Sequence, residues 1–195
     1  MNAGEGTFVS IRGVEPNLNN VTFNGTTVAP PGVDGRTGRA TELEAQIPFS
    51  AFLGKGVLAG FSVNANATFI KSKVTVPGRE SEDLPFFQQP DRIFNLALSY
   101  QKGRITARIA YNYQTESLTL LGGESSETGS EDEYQADRYF IDLQAGVKLS
   151  ERFSIFANWK NVTNEYDDTY IGERYRLRQS YDFGSDFRAG MRYTF

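Results

Sequence analysis

Apolar and polar side chains alternate with a period of two through most of the chain after Thr41. The last segment shows the pattern most clearly. Its apolar members share one parity and are Phe187, Ala189, Met191, Tyr193 and Phe195. Successive side chains of a β-strand point to opposite faces, so this pattern predicts a strand with one apolar and one polar face.

Seven segments of the chain carry this alternation. They lie at residues 43–49, 61–69, 94–100, 105–113, 139–147, 153–159 and 175–195. Helical spacing fits none of them as well. We therefore expect an all-β protein with seven strands after Thr41, the last of them long and continuous.

The connections between these segments alternate in length. Residues 53–56, 101–104 and 150–152 read as tight turns, whereas residues 77–91, 115–137 and 163–174 are long and polar. Short turns at one end and long loops at the other are typical of outer-membrane barrels. The pattern predicts an antiparallel transmembrane β-barrel wall of seven or eight strands.

Residues 1–40 differ from the remainder of the chain. They are rich in Asn, Gly and Pro, and one short strand candidate is closed by Asn24-Gly25, a strong turn signal. This segment is too short to hold a core of its own. We place a boundary between a small β unit, residues 1–40, and the strand-rich region, residues 41–195.

Composition excludes most catalytic templates. The 195 residues include neither His nor Cys, which removes the commonest general base and thiolate chemistry. The net charge of -4 offers no polycation for nucleic acid. The acidic segments 124–133 and 165–168 are candidates for calcium, but solvated loops explain them better because no EF-hand spacing is present. We expect no enzyme, no cofactor and no metal site.

Two further groups of residues carry expectations about a membrane wall. Aromatic residues near the strand ends suit a membrane interface or, alternatively, a soluble core; they are Tyr100, Tyr113, Trp159 and Tyr193. Six arginines share the polar parity and would face a lumen or a plug; they are Arg104, Arg108, Arg176, Arg178, Arg188 and Arg192.

Specific motifs add a family resemblance. The tail reads Asn158-Trp159-Lys160-Asn161-Val162-Thr163-Asn164, then Tyr181-Asp182-Phe183-Gly184, and closes on Arg192-Tyr193-Thr194-Phe195. With the preceding segments, residues 41–195 resemble the C-terminal barrel strands of TonB-dependent outer-membrane receptors. Residues 4–40, with Arg12-Gly13 and Asn24-Gly25, resemble a fragment of the plug domain of the same family.

This resemblance implies a location and partners. The chain would reside in the outer membrane of a Gram-negative bacterium, in contact with lipid and with the barrel-assembly machinery. Phe187, Met191, Tyr193 and Phe195 would form the assembly signal, and Arg12, Gly13, Asn24 and Gly25 the plug motif. The full family takes up nutrients or iron chelates by coupling to TonB.

On this resemblance, we expect the chain to lack the coupling box and most of the wall of a full receptor. The resemblance therefore implies an internally deleted receptor that is not competent for energised uptake by itself, and it leaves the small-molecule cargo unknown. Two alternatives remain open. One is a self-contained eight-stranded outer-membrane barrel with a structural or adhesion role, and the other is a soluble β-barrel or sandwich that binds a ligand.

Overall fold

The computed structural model describes residues 22–23, 26–27, 36–53, 56–123 and 131–195. This part of the chain is almost entirely antiparallel β-sheet. None of its helices is long and apolar enough to cross a membrane. The expectation of an all-β antiparallel protein is confirmed.

Thirteen strands are present in the described residues. In chain order they are β1 (Thr22–Phe23), β2 (Thr26–Thr27), β3 (Arg36–Pro48), β4 (Phe61–Val74), β5 (Arg92–Lys102), β6 (Ile105–Gln114), β7 (Ser117–Leu120), β8 (Glu133–Gln135), β9 (Arg138–Lys148), β10 (Phe153–Lys160), β11 (Asp167–Ile171), β12 (Leu177–Tyr181) and β13 (Asp186–Tyr193). A short helix, α1 (Ser50–Leu53), and a 3₁₀ helix (Val57–Gly60) lie between β3 and β4.

Seven long strands form the main sheet, in the order β13-β10-β9-β6-β5-β4-β3. Every neighbouring pair is antiparallel. In the described residues the sheet is open, with β3 and β13 at its edges. Each of the seven predicted segments contributes one strand to this sheet, and four further strands, β7, β8, β11 and β12, were not predicted as separate strands. Strand β3 begins at Arg36, which is upstream of the expected boundary after residue 40.

The connections of the main sheet fall at two ends. The β3–β4, β5–β6 and β9–β10 connections lie at one end, here called the turn end, and the long β4–β5, β6–β9 and β10–β13 connections lie at the other, the loop end. This alternation matches the expectation. The prediction of a tight turn at residues 53–56 was wrong. The connection spans residues 49–60 and contains α1 and the 3₁₀ helix, so it is longer than expected.

The long connections fold into a second sheet, which the sequence pattern did not predict. It has four strands in the order β12-β11-β8-β7 and is here called the loop sheet. Backbone bonds also attach the β4–β5 connection to it, because the amide of Gln88 donates to the carbonyl of Leu118 at 2.7 Å. Leu118, 1% exposed, is the most deeply buried large side chain of the described chain.

The expected single long strand over residues 175–195 was wrong. The chain forms β12 in the loop sheet, turns, and then enters β13 in the main sheet. Gly184 adopts a φ of 73°, and its amide donates to the Asp182 carboxylate at 2.8 Å. A positive φ favours glycine and cannot continue a strand, so this turn interrupts the alternation.

Candidate functional site

One face of the main sheet is apolar across all seven strands and is here called the apolar face. One row of directly paired side chains runs from edge to edge through Ile47, Val63, Leu98, Ile109, Leu143, Trp159 and Phe187. The parallel rows on either side are made of Ala, Leu, Ile, Val and aromatic residues. The strand parity therefore predicted the composition of this face correctly.

The apolar face has no cover in the described residues. Leu96, in the middle of the sheet, is 50% exposed, and Met191, at the β13 edge, is 72% exposed. A monomeric soluble protein seldom exposes a contiguous apolar patch larger than a few hundred Å². A face of this kind needs an apolar environment or a covering element.

Aromatic rings occur near both ends of the strands on this face. Toward the loop end, Phe94 contacts Phe69 at 5.7 Å and Tyr113 at 6.1 Å between ring centroids. Toward the turn end, Tyr100 contacts Phe61 at 4.7 Å. Mainly aliphatic and alanine side chains, together with Tyr111, lie between these two aromatic bands.

The distance between the two aromatic bands along a strand follows from the residue numbers. Phe61 and Phe69 are eight residues apart in β4, and Phe94 and Tyr100 are six apart in β5. At about 3.3 Å per residue these separations are roughly 20–27 Å. Strands of outer-membrane barrels are tilted by about 35–45°, so these separations correspond to a height of roughly 14–22 Å, somewhat less than the apolar band of about 25 Å that aromatic girdles flank there.

The four expected interface aromatics all lie on the apolar face near strand ends. Tyr113 and Trp159 belong to the loop-end band, and Tyr100 and Tyr193 to the turn-end band. Trp159 is 40% exposed, and its indole Nε1 donates to Ser185 Oγ at 2.5 Å. A polar handle on a half-exposed ring suits an interface between apolar and aqueous media.

The opposite face of the main sheet is polar. Near β3 it is acidic and amide-rich: the amide of Asn66 donates to Glu42, and the amide of Asn95 donates to Asn66 Oδ1 at 3.4 Å. Toward β13 it is basic, with Arg108, Arg188 and Arg192 among its members. A face with these groups is suited to water or to a polar partner.

One aromatic side chain on this polar face locks the last strand. Phe156 lies opposite Gly190, where a Cβ would stand only 2.7 Å from the Phe156 ring carbon Cζ. The absence of a side chain at Gly190 therefore leaves room for the ring. The pair joins β10 to β13 in one register.

The loop sheet is held by ion pairs, beginning with Arg79. Its guanidinium binds Asp132 through two nitrogens, at 2.5 and 2.9 Å, and it also donates through Nε to Glu82 at 2.8 Å. The Asp132 carboxylate also accepts the amide of Gly122 at 2.9 Å. Hydrogen bonds from Arg79 lower the pKa of Asp132 and of Glu82. These contacts tie the β4–β5 connection to the β6–β9 connection.

A second cluster joins the β6–β9 connection to the β10–β13 connection. Glu116 accepts the Tyr170 hydroxyl and Arg174 Nη2, both at 2.7 Å, and Arg174 Nη1 donates to Asp137 at 2.7 Å. Burial, followed by the bond to Glu116, raises the pKa of Tyr170. Tyr170 also stacks on Tyr134, with centroids 5.5 Å apart.

Two of the six polar-parity arginines do not lie on the main sheet. Arg176 pairs with Glu131 and Arg178 pairs with Glu133, both in the loop sheet region. Their placement corrects the expectation of a lumen position, because the turn at Gly184 separates this segment from β13. Arg104 lies in the β5–β6 turn, and Arg108, Arg188 and Arg192 are on the polar face as expected.

The acidic segments serve as ion-pair partners where they are described. Glu131, Asp132 and Glu133 each bind an arginine, and residues 124–130 lie outside the described chain. Within the described residues no group of three or more acidic side chains could hold a metal ion.

The expected assembly residues lie on or next to β13. Phe187, Met191 and Tyr193 belong to the apolar face, and Phe195 follows the strand with its ring 5.2 Å from that of Tyr193. The expected plug residues Arg12, Gly13, Asn24 and Gly25 lie outside the described residues. The flanking strands β1 and β2 pair antiparallel, with Phe23 opposite Thr26.

The sequence pattern missed the loop sheet and its residues. One local signal was available, because Ser117-Leu118-Thr119-Leu120 alternates within a segment that otherwise reads as a polar loop. Comparisons with models of protein families, with curated proteins and with solved structures found no match to this chain.

Proposed function

We propose that this chain is part of the wall of an outer-membrane β-barrel, with the apolar face toward lipid and the polar face toward the lumen. The observation that carries the proposal is the uncovered apolar face, which extends over seven antiparallel strands of the described chain. Hydrocarbon would satisfy this face, and the ladders between neighbouring strands would satisfy most backbone groups of the wall.

Two further observations support the same proposal. Short connections gather at the turn end and long ones at the loop end, which is the arrangement of outer-membrane barrels. The aromatic bands lie near both ends of the strands, as the aromatic girdles of outer-membrane barrels do. A soluble sandwich requires neither feature.

The family proposal is narrower and rests on the motifs of the C-terminal segment. We assign the chain to the TonB-dependent receptor type, with residues 41–195 as C-terminal strands of its wall. In this proposal it belongs to a nutrient-uptake family but cannot drive uptake by itself. TonB-dependent accumulation of an iron chelate by cells carrying only this chain would contradict that conclusion.

The membrane proposal is tested by refolding the full chain from urea into detergent and into phosphatidylcholine vesicles. The expected result is a band whose gel migration changes on heating, together with protection of the main sheet from trypsin in vesicles. A chain that is monomeric and folded in buffer without detergent would instead favour the soluble ligand-binding alternative.

A further inference from the structure

The β3–β4 connection exposes an unusual number of apolar side chains at the turn end. Phe52 is 76% exposed, Val57 is 69% exposed and Leu58 is 57% exposed. They lie on α1 and the 3₁₀ helix, which are too short to be stable by themselves. Exposure of these apolar side chains to water is unfavourable, so they would be stabilised by an apolar environment.

This connection is anchored to the apolar face. The amide of Phe49 donates to the carbonyl of Phe61 at 2.9 Å, and Lys102 Nζ donates to the carbonyl of Gly56. Gly60 lies against the Tyr100 ring, so closely that a Cβ there would be 2.8 Å from ring carbon Cε2. The exposed side chains of the connection are therefore continuous with the turn-end aromatic band.

The charges differ between the two ends of the sheet. The long connections, residues 75–91, 115–137 and 161–185, contain 16 acidic and four basic residues. The turn-end connections, residues 49–60, 103–104 and 149–152, contain three basic residues and one acidic residue. The two ends would respond in opposite ways to an anionic surface.

Arg104 is held at the turn end by a backbone carbonyl. Arg104 Nη1 donates to the carbonyl of Leu149 at 3.1 Å, so its charge is fixed at the rim. Among the described residues, no ion pair joins Arg104, Lys148, Arg152 or Arg192 to a carboxylate. In contrast, the arginines of the loop sheet at positions 174, 176 and 178 are each paired with one.

We propose that the turn end binds an anionic phospholipid surface. The side chains of Phe52, Val57 and Leu58 enter the boundary between headgroups and acyl chains, and Arg104 and Arg152 contact lipid phosphates. Apolar residues beside exposed cations are the combination that binds helices in the plane of an anionic interface. The inference rests on the proposed membrane wall, since it assigns the leaflet that the turn end faces.

The first experiment measures where the connection lies. The chain has no Cys, so a Val57→Cys variant can be labelled at one site with an environment-sensitive fluorophore. A Tyr175→Cys variant is the matched control, because Tyr175 is 83% exposed at the loop end. In vesicles of phosphatidylcholine and phosphatidylglycerol in equal parts, we expect blue-shifted emission from position 57 and aqueous emission from position 175.

The second experiment measures charge selectivity. In a variant with both Arg104→Gln and Arg152→Gln, the partition coefficient into phosphatidylglycerol-containing vesicles, relative to phosphatidylcholine alone, should fall roughly 10- to 30-fold at low salt. A variant with Lys71→Gln and Lys160→Gln loses two exposed cations at the loop end and should change much less. Glutamine removes the charge and keeps a side-chain hydrogen-bond donor at each position.

The outcomes separate this inference from the membrane proposal. A chain that is trypsin-protected and heat-modifiable in vesicles, but has aqueous emission at position 57, would overturn the inference alone. Equal losses in the two double variants would also overturn it. Failure to fold in every vesicle and detergent would overturn the inference and the membrane wall together.

Discussion

Placing an arginine on the apolar face gives the sharpest test of the membrane wall. Leu96 lies near the middle of the main sheet, between Ala65 and Tyr111, and is 50% exposed. Its neighbour Asn95 points to the opposite face, between Asn66 and Asn112. Leu96→Arg and Asn95→Arg therefore introduce the same group one residue apart, on opposite sides of one strand.

A lipid-facing and a water-facing apolar face predict different losses of stability for Leu96→Arg. If the face meets lipid, Leu96→Arg should cost about 2–4 kcal/mol. This corresponds to a decrease of roughly 30- to 1,000-fold in the folding equilibrium constant. If the face meets water, Leu96 is already half-exposed and the loss should be only about 1 kcal/mol. Asn95→Arg should be close to neutral, since Glu44 lies one strand beyond the neighbouring Asn66.

In β5, the cations on this parity stand at the two ends of the strand. Arg92 and Lys102 share the parity of Leu96 and are the first and last residues of β5. The cost of an arginine on the lipid face of a barrel falls to about 0–1 kcal/mol near the interfaces. The positions of Arg92 and Lys102 therefore agree with a cost of placing a cation on this face that is largest near Leu96 and small at the strand ends.

The assay is a guanidinium chloride titration of the full chain in phosphatidylcholine vesicles. Trp159 is the single tryptophan, and its position in the loop-end band makes its fluorescence a reporter of the folded wall. The reasoning would be refuted if Leu96→Arg unfolds at the wild-type midpoint, or if Asn95→Arg is the more destabilising of the two.

Three other predictions follow from the described contacts. Gly190→Ala should cost about 1–3 kcal/mol by driving a methyl group into the Phe156 ring, and Phe156→Leu in the same chain should recover part of that loss in denaturant midpoints. Hydrogen bonds from Arg79 lower the pKa of Asp132, so this carboxylate stabilises the loop sheet fully above the ordinary aspartate pKa of about 3.9. The contribution is lost as the pH falls through the lower pKa of the folded state. Near-UV circular dichroism should show this loss of structure, and the Asp132→Asn variant should have a weaker pH dependence. Deleting Phe195, whose ring contacts Tyr193 at the rim, should reduce assembly in cells more than any loop change while leaving refolding in detergent near the wild-type yield; unaltered assembly would contradict its role as a signal.

Strand parity predicted much of the main sheet because it is a local property. Whether Leu98 and Ile109 share a face depends only on the alternation within β5 and β6 and on the hydrogen-bonded pairing of the two strands. The loop sheet depends instead on contacts such as that of Glu116 with Tyr170, 54 residues away. No local period encodes such a pairing, so the long connections looked like irregular polar loops.

The number of strands in the main sheet constrains how the proposed wall can be completed. In an antiparallel meander of seven strands, the first and the last run in the same direction, so β3 and β13 could meet only as a parallel pair. A second copy inserted with the same orientation would again place β13 beside β3 in parallel. A closed barrel with antiparallel pairs throughout therefore requires an odd number of further strands between these edges. Their lumen-facing residues should match the acidic β3 edge, with Glu42 and Glu44, and the basic β13 edge, with Arg188 and Arg192. A strand that carries a cation beside β3 and a carboxylate beside β13 meets both requirements.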